Sequence, residues 1–423
     1  LTDKPATERR VNPRHYDLAI AGAGLTGAAC ALALAKTGAG ANLKIALLEA
    51  RAASQHFVAD EFDPRVVALT EASRSWLQTL GVWQEVTRHR VCPYRRMMVR
   101  DGEGTAAIEF DCREVHQQDL GHIVEHSALL NALLKALAEM PNVELLCPAR
   151  ISEIRRGAST GDIELALENH SISARLLVGA DGSNSRVRSE CAFRERTWDY
   201  GHSAIVGTLR TEHEHQFVAR QWFTASGPLA FLPLQTQCGD RHFTSIVWSQ
   251  QHSEAQRLMA LSNEEFCAAL HRVSEGTLGD LALVNAGAAP ARQSFPLQQR
   301  HAVDYVQPNV VLIGDAAHTL HPLAGLGVNL GFADVRVLVD ELACSLGKGL
   351  PVDDPDTLSR YQRRRKPENL AAMATMEGFK RLFEAPSPWV RVLRNVGMSR
   401  LNELTAVKRD IIRQAMGVGR SGA

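Results

Sequence analysis

The sequence predicts an α/β fold in which a parallel-sheet nucleotide-binding domain is split by an inserted antiparallel sheet and followed by C-terminal helices. Three observations carry this. A strand, a Gly-rich turn, a helix and a second strand follow one another between Tyr16 and Glu49; β-type segments take over after Tyr200; and at Asn309 an apolar strand returns, leading into a Gly-rich loop and a helix. The boundaries that follow are a polar leader over 1–14, a nucleotide-binding first part over 15–200, a β-sheet domain over 201–298, a nucleotide-binding second part over 299–350 and C-terminal helices over 351–423.

Each element has a local reason. Tyr16–Ala21 is an apolar run ending at Gly22, and Ala28–Thr37 (AACALALAKT) is apolar almost all round, as a helix buried between a parallel sheet and another layer should be. Leu43–Glu49 completes the βαβ unit. Between Ser127 and Met140, Leu129, Leu133 and Leu137 recur every fourth residue with Leu130 and Leu134 beside them, so a helix is expected to end before Pro141. Val143–Cys147, Ile163–Leu167 and Arg175–Val178 read as strands. In the middle block Phe217–Phe223, Leu229–Leu234 and Phe243–Trp248 have β character, and Ser253–Val273 reads as one helix. Val310–Ile313 is a short buried strand and a helix opens near Val328. From Asp356 the pattern is helical, with interruptions expected at Pro367, Pro386 and Pro388.

Composition narrows the function classes. A chain of 423 residues, 45% apolar, buries a real core without disulfides, and 47 basic against 47 acidic residues leave no overall electrostatic footprint for nucleic acid. Eight scattered cysteines, none in C-x-x-C spacing, read as reduced thiols of a cytoplasmic protein. Leu1–His15 has no apolar h-region, so no signal peptide is expected, and no apolar stretch approaches the roughly 18 residues that span a bilayer. The protein is expected to be soluble or peripheral.

Chemistry enters with Gly22-Ala23-Gly24-Leu25-Thr26-Gly27, a G-x-G-x-x-G turn between strand and helix. Its glycines serve a tight turn, backbone approach to a pyrophosphate and close helix packing, and the phosphates sit on the helix N-terminus. Glu49 ends the next strand 22 positions after Gly27, where an acidic side chain reaches ribose hydroxyls. The first domain is therefore Rossmann-like. A second match at Gly417-x-Gly419-x-x-Gly422 has no strand before it and carries no such meaning. Asp181, in GADGSNSRVR, and Asp315, in GDAAHTLHPLAG, each follow an apolar strand and a glycine; either one alone reads as an ordinary N-cap.

Taken in order, the fingerprint, the DG motif and the GD motif resemble the aromatic-ring hydroxylase class of flavoprotein monooxygenases. HPLAGLGVNLGFAD (His321–Asp334) is similar to the H-P-x-A-G-Q-G-x-N-x-G-x-x-D pattern of the ubiquinone-biosynthesis hydroxylases. The likeness extends through DPRVVAL, LGVW, LGHIVEHSALL, VARQWF, AFLPL, SIVWS and IRQAMG, and within that family it looks closest to the 2-polyprenylphenol 6-hydroxylases. The resemblance implies a p-hydroxybenzoate hydroxylase-like fold, with FAD in the nucleotide-binding domain and a substrate site in the inserted sheet. It also implies NADH or NADPH as transient reductant, O2 and a polyprenylated phenol as substrates, and other ubiquinone-biosynthesis proteins as partners, leaving a homo-oligomer open. By the same resemblance FAD is held by the Gly22–Gly27 turn, by Glu49 at its ribose and by Gly314 and Asp315 at its ribityl or pyrophosphate, while Asp181 braces the neighbouring loop. Gly327, Val328 and Asn329 offer backbone contacts to the pyrimidine edge, Arg65 is a flavin-proximal cation, and Pro322 and Gly325 are the flavin-loop candidates for a catalytic role; no base is identified. The middle segments Gln221–Phe223 and Ala230–Leu234 are expected to roof the substrate. Leu326 stands where the family pattern has Gln, which removes a side-chain amide near the flavin.

Weaker signals remain. His318 with His321, and His213 with His215, lack a third ligand at metal spacing, so no metal is expected. Arg360–Lys366 reads as a solvated helix face. In the last 38 residues, seven Lys or Arg also read first as a solvated face; because they interleave with Trp389, Val390, Leu393, Val396, Met398, Leu401, Leu404, Ile411, Ile412 and Met416, the alternative is a helix lying on an anionic membrane, in peripheral contact with the inner membrane. The alternatives are a flavin hydroxylase of another aromatic substrate, or a non-catalytic flavin-binding subunit that organises a membrane-associated biosynthetic complex.

Overall fold

The computed structural model describes residues 14–51, 61–102, 106–157, 161–168, 170–284, 290–319, 327–384 and 404–417. Pro322, Gly325 and Leu326 therefore lie outside the described residues, as do Trp389 to Leu401.

The nucleotide-binding sheet runs, in spatial order, Val306–Gln307, Val310–Leu312, Ser171–Gly179, Arg14–Ala21, Ile45–Leu48 and Val143–Leu146, and Ile163–Leu167 and Ile151–Arg156 extend it antiparallel. Leu18, Ala19 and Ile20 are fully buried, because both faces of this strand are covered. The helix Leu25–Ala35 covers one face, and His126–Leu137 and Gly327–Leu346 pack against it in turn. The parallel register places Leu48 beside Ala21, Ala21 beside Gly179 and Gly179 beside Leu312, so four strands end on one level.

A nine-stranded sheet forms the second layer, with a main path of His318–Thr319, Arg292–Ala302, Glu195–Thr211, Phe243–Gln251, Gly227–Leu234, Val218–Thr224, Arg96–Asp101 and Ala107–Asp111. This sheet reaches beyond 201–298: the hairpin Arg96–Asp111 joins it through a parallel pairing with Val218–Thr224, which local pattern cannot show. Two helices, His252–Ala260 and Asn263–Val273, cover one face over Ile205, Trp222, Leu229, Phe231, Ile246 and Trp248. One helix was expected here. The chain breaks at Leu261 because Ser262 and Glu265 form a capping box, each side chain accepting from the other's backbone N–H. Val66–Thr70, Gly121–Glu125 and Val91–Tyr94 make a small third sheet between the two layers.

The helix Pro355–Glu384 runs through Pro367, where an interruption was expected. A mid-helix proline removes one hydrogen bond and crowds the preceding turn. Tyr361, Arg365, Asn369 and Met373, four residues apart and all buried, pin the helix on both sides of it. The C-terminal helix Thr405–Ala415 corrects part of the membrane-surface expectation. Ile412 and Met416 pack inside the protein on Cys112, Val115 and Leu120, and Lys408 pairs with Glu114 at 2.8 Å. No helix among the described residues is long and apolar enough to cross a membrane.

Three partly or wholly buried histidines make this fold acid-sensitive. Burial holds His126, His215 and His301 down to about 4, against an ordinary 6.5, with neighbouring cations such as Arg65 and Arg220 adding to it. Between these values the unfolded chain binds more protons than the folded one, so stability is intact above pH 6.5 and falls as pH drops towards 4. The melting temperature should fall by several degrees between pH 7 and pH 4.5; a flat profile over that range contradicts the assignment of neutral buried imidazoles.

Candidate active site

The glycine fingerprint, Glu49, the DG motif and the GD motif all hang from the row of strand ends. Gly22 follows Ala21 with φ +98°, and a Cβ there would lie 2.5 Å from the carbonyl oxygen of Ala180. A Cβ on Gly27 would lie 1.9 Å from the carbonyl oxygen of Gly22, so the helix sits directly on its own turn. Gly24 differs: a Cβ there meets nothing within 4 Å, and the helix it opens has no side-chain cap. The first-turn N–H groups of a buried helix thus face open space. Thr26 packs sideways, within about 3 Å of Cβ positions on Gly314 and Gly331, and locks the fingerprint helix to the GD loop.

Glu49 reaches back to this turn. Its carboxylate accepts from the Ala23 N–H at 3.1 Å and the Arg51 N–H at 3.0 Å, which leaves lone pairs for a diol. Asp181 accepts from the N–H groups of Arg186 and Val187 through Oδ2 at 2.7 and 3.1 Å, bracing the loop ahead of a short helix. Its Oδ1 is buried without a hydrogen-bond partner among the described residues. Arg188 ties the DG loop to the GD loop, donating to the carbonyls of Ser183 at 2.7 Å and Ala316 at 2.9 Å while its charge meets Glu195.

Asp315 stands in the single helical turn Gly314–Ala316, and its Oδ1 is 3.7 Å from where a Cβ of Gly327 would be. Its carboxylate is solvent-accessible but walled in by protein, and that desolvation raises its pKa. The helix Gly327–Leu346 therefore begins beside Asp315. Val328 packs partly on the core, and the Asn329 side chain is engaged: it accepts from the Thr70 N–H at 2.9 Å and donates to the Ala68 carbonyl at 2.7 Å. Only the backbone of this first turn is left for a ligand, and a helix N-terminus there favours an anion. Arg65 is exposed, and its backbone is held by Asp63, which in turn donates to Glu125 at 2.6 Å; Glu125 is paired with buried Arg90 at 2.7 Å.

Sequence reasoning missed the buried cluster behind the GD loop. Asp334, with no exposed surface, meets His318 at 2.5 Å and Arg365 at 2.7 Å. Burial alone would push its carboxyl up; His318 and Arg365 outweigh that and hold it down to about 2. Asp334 is the last residue of the HPLAGLGVNLGFAD segment, so a signal was present, but its partners are 16 and 31 residues away.

Gly24 opening on space at a bare helix N-terminus, the orphaned Asp181 oxygen and the Glu49 carboxylate beside the turn fit a dinucleotide laid across the strand ends. The FAD binding domain family matches residues 15–375. The chain is 36% identical to 3-demethoxyubiquinol 3-hydroxylase of Escherichia coli, over 95% of this chain and 98% of the relative. The chain belongs to the FAD-dependent ubiquinone-biosynthesis hydroxylases. It is also 34% identical to the mitochondrial ubiquinone biosynthesis monooxygenase COQ6 of Xenopus tropicalis, over 95% of this chain and 93% of the relative. Among solved structures the fold matches PqsL of Pseudomonas aeruginosa bound to 2-aminobenzoylacetate (TM-score 0.75, 23% identity, 90% of this chain and 100% of that one). It also matches p-nitrophenol 4-monooxygenase PnpA of Pseudomonas putida (TM-score 0.74, 18% identity, 97% of this chain and 100% of that one). This hydroxylase is an FAD-dependent monooxygenase with a nicotinamide reductant.

The glycines separate binding from folding. Gly24→Asp should fold normally, since the space is open, yet lose FAD affinity by about a hundredfold through its carboxylate against the pyrophosphate. Gly27→Val should instead destabilise the apoprotein by about 3 kcal/mol or more, because the clash is with backbone. Apoprotein melting and FAD titration read both; a fully flavin-loaded Gly24→Asp variant contradicts the fingerprint assignment.

Proposed function

We propose that this hydroxylase hydroxylates the aromatic ring of a polyprenylated phenol in ubiquinone biosynthesis, with FAD lying across the strand ends and the substrate between FAD and the uncovered face of the nine-stranded sheet. The observation that carries the pocket is strand alternation. Trp222, Leu229, Trp248 and Ile205 form one cross-strand row under the helices, so the next row, Gln221, Ala230, Val247 and Val206, faces the other way. Leu232 on that same face packs with Phe62, Val66 and Ile123 of the nucleotide-binding side. Only alternate residues of the two expected roof segments thus lie on this face: Gln221, Phe223, Ala230, Leu232 and Leu234 do, whereas Trp222 and Phe231 belong to the helix-covered core.

Ala230, Val247 and Val206 are small, apolar and only half-buried, which suits an apolar ring and the start of a prenyl chain. FAD, when bound, would supply the redox chemistry of ring hydroxylation, with NADH or NADPH as the source of electrons and O2 as the source of the hydroxyl oxygen. The chain's own residues hold and shield. The Gly24 turn and its helix N-terminus bind the pyrophosphate, Glu49 the ribose, and Asp181 braces the neighbouring loop. Gly314 and Asp315 hold the ribityl side. The first turn at Gly327, Val328 and Asn329 stabilises negative charge at the pyrimidine edge, with Arg65 as a nearby cation. Pro322 and Gly325 keep their proposed place in the flavin loop on sequence grounds.

Membrane contact belongs to this reading through residues 386–401, where Trp389, Leu393, Val396 and Leu401 interleave with Arg391, Arg394 and Arg400. Prenylated substrates partition into the bilayer, and other ubiquinone-biosynthesis proteins are the partners such a surface would meet.

Two measurements test this. Anaerobic flavin reduction by NADH or NADPH should accelerate several-fold with a short-chain 2-prenylphenol, and admitting air should yield the ring-hydroxylated product. Reduction indifferent to every phenol tried would point to an assembly role. Trp389→Asp with Leu393→Asp should weaken pelleting with anionic liposomes while leaving FAD binding unchanged; equal pelleting removes the membrane contact from the proposal.

A further inference from the structure

One fully buried carboxylate joins the two segments that flank the pyrimidine and ribityl sides of the proposed FAD site. Asp334 lies seven residues into the helix Gly327–Leu346. Its Oδ2 accepts from the Gly314 N–H at 3.0 Å and His318 Nε2 at 2.5 Å, both in the loop that carries Asp315. Its Oδ1 accepts from Arg365 Nε at 2.7 Å and Asn369 Nδ2 at 3.1 Å, both on Pro355–Glu384. Asp334, His318, Arg365 and Asn369 are each at most 2% exposed, so water does not share these bonds. The loop has little slack: Gly314 adopts φ +57°, and Cβ positions on it and on Gly331 would come within about 3 Å of Thr26.

We propose that Asp334 is a positioning residue for the flavin: its loop-side oxygen sets the spacing between Asp315 and the N-terminus of the helix Gly327–Leu346, and so the seat of FAD. The proposal rests on the FAD site proposed above. Only a carboxylate suits the position, because each oxygen takes two donors. An amide keeps one oxygen, and the charged guanidinium of Arg365 claims it. The NH2 group then faces the Gly314 N–H, donor against donor, and the Asp315 loop is released. Asn369 touches the same carboxylate from the other side and also accepts from Arg365 Nη2 at 2.8 Å and donates to Tyr305 Oη at 3.4 Å, so its removal costs packing and these bonds without freeing the loop.

The test titrates FAD into apoprotein and records the visible flavin spectrum and apoprotein melting for Asp334→Asn, His318→Leu, His318→Gln and Asn369→Ala. Asp334→Asn and His318→Leu should raise the Kd for FAD about tenfold and shift the flavin band, and His318→Gln, which keeps a donor, should recover much of that affinity. Asn369→Ala should lower the melting temperature while its Kd stays within about twofold of the parent. Should Asp334→Asn fail to fold, the His318 pair against Asn369→Ala decides alone. An unchanged Kd in Asp334→Asn or His318→Leu, or an Asn369→Ala effect as large as that of His318→Leu, overturns the proposal and makes the cluster a general anchor. Gly24→Asp run alongside keeps the readings apart: if it binds FAD normally the site itself is misplaced, whereas its failure with a normal His318→Leu rejects only the role of Asp334.

Discussion

Four parallel strands end level with one another at Leu48, Ala21, Gly179 and Leu312, and every described candidate FAD contact except Arg65 hangs from that row or from a helix packed against it. The alignment requires near contact between turns that follow the strands. Gly22 touches the Ala180 carbonyl, Gly27 sits on Gly22, and Gly179 would drive a Cβ within 2.7 Å of Leu312. No side chain larger than hydrogen fits between these elements, so small residues at the strand ends let backbone amides and carboxylates converge on one crevice. Loosening any of these contacts would separate Glu49, Asp181 and Asp315 from the turn they share.

Around that row the protein uses buried polar pairs as struts between segments distant in the chain. Asn329 fastens the helix Gly327–Leu346 to the strand Val66–Thr70, Arg188 joins the two motif loops, and Glu125 with Arg90 supports the stretch carrying Asp63 and Arg65. Burial makes each strut directional, since an unmatched donor or acceptor there carries its full desolvation cost. A crevice that must hold a cofactor and admit a reductant needs such stiffness, because most of its lining is loop.

The second sheet has two unlike faces. Large aromatic and branched residues, Trp222, Phe231, Ile246 and Trp248, fill the helix-covered face. On the other face Ala230, Val206 and Val247 are small and only half-buried, the character that the proposed apolar substrate site needs. The family match and the two relatives show an FAD-dependent monooxygenase.

Much of the cofactor side was legible in the residues because it is local: a glycine turn, the acid after the next strand and two strand-Gly-Asp motifs declare themselves within a few positions of chain. The partners of these residues were not. Thr70 meets Asn329 across 259 positions, the Arg96–Asp111 hairpin joins a sheet whose core strands begin a hundred residues later, and Arg365 finds Asp334 from a helix whose basic run reads as a solvated face. The same holds for Ile412 and Met416, apolar residues of a basic amphipathic helix that suit a membrane or a protein core equally by pattern. The sequence by itself determined the type of fold and a dinucleotide site, since those rest on backbone geometry encoded over short spans, and its resemblance to a family pointed to the cofactor and the reaction class. Tertiary structure decided which polar groups are satisfied and which apolar faces are interior. Burial is a property of surfaces that meet, and no single segment carries both of them.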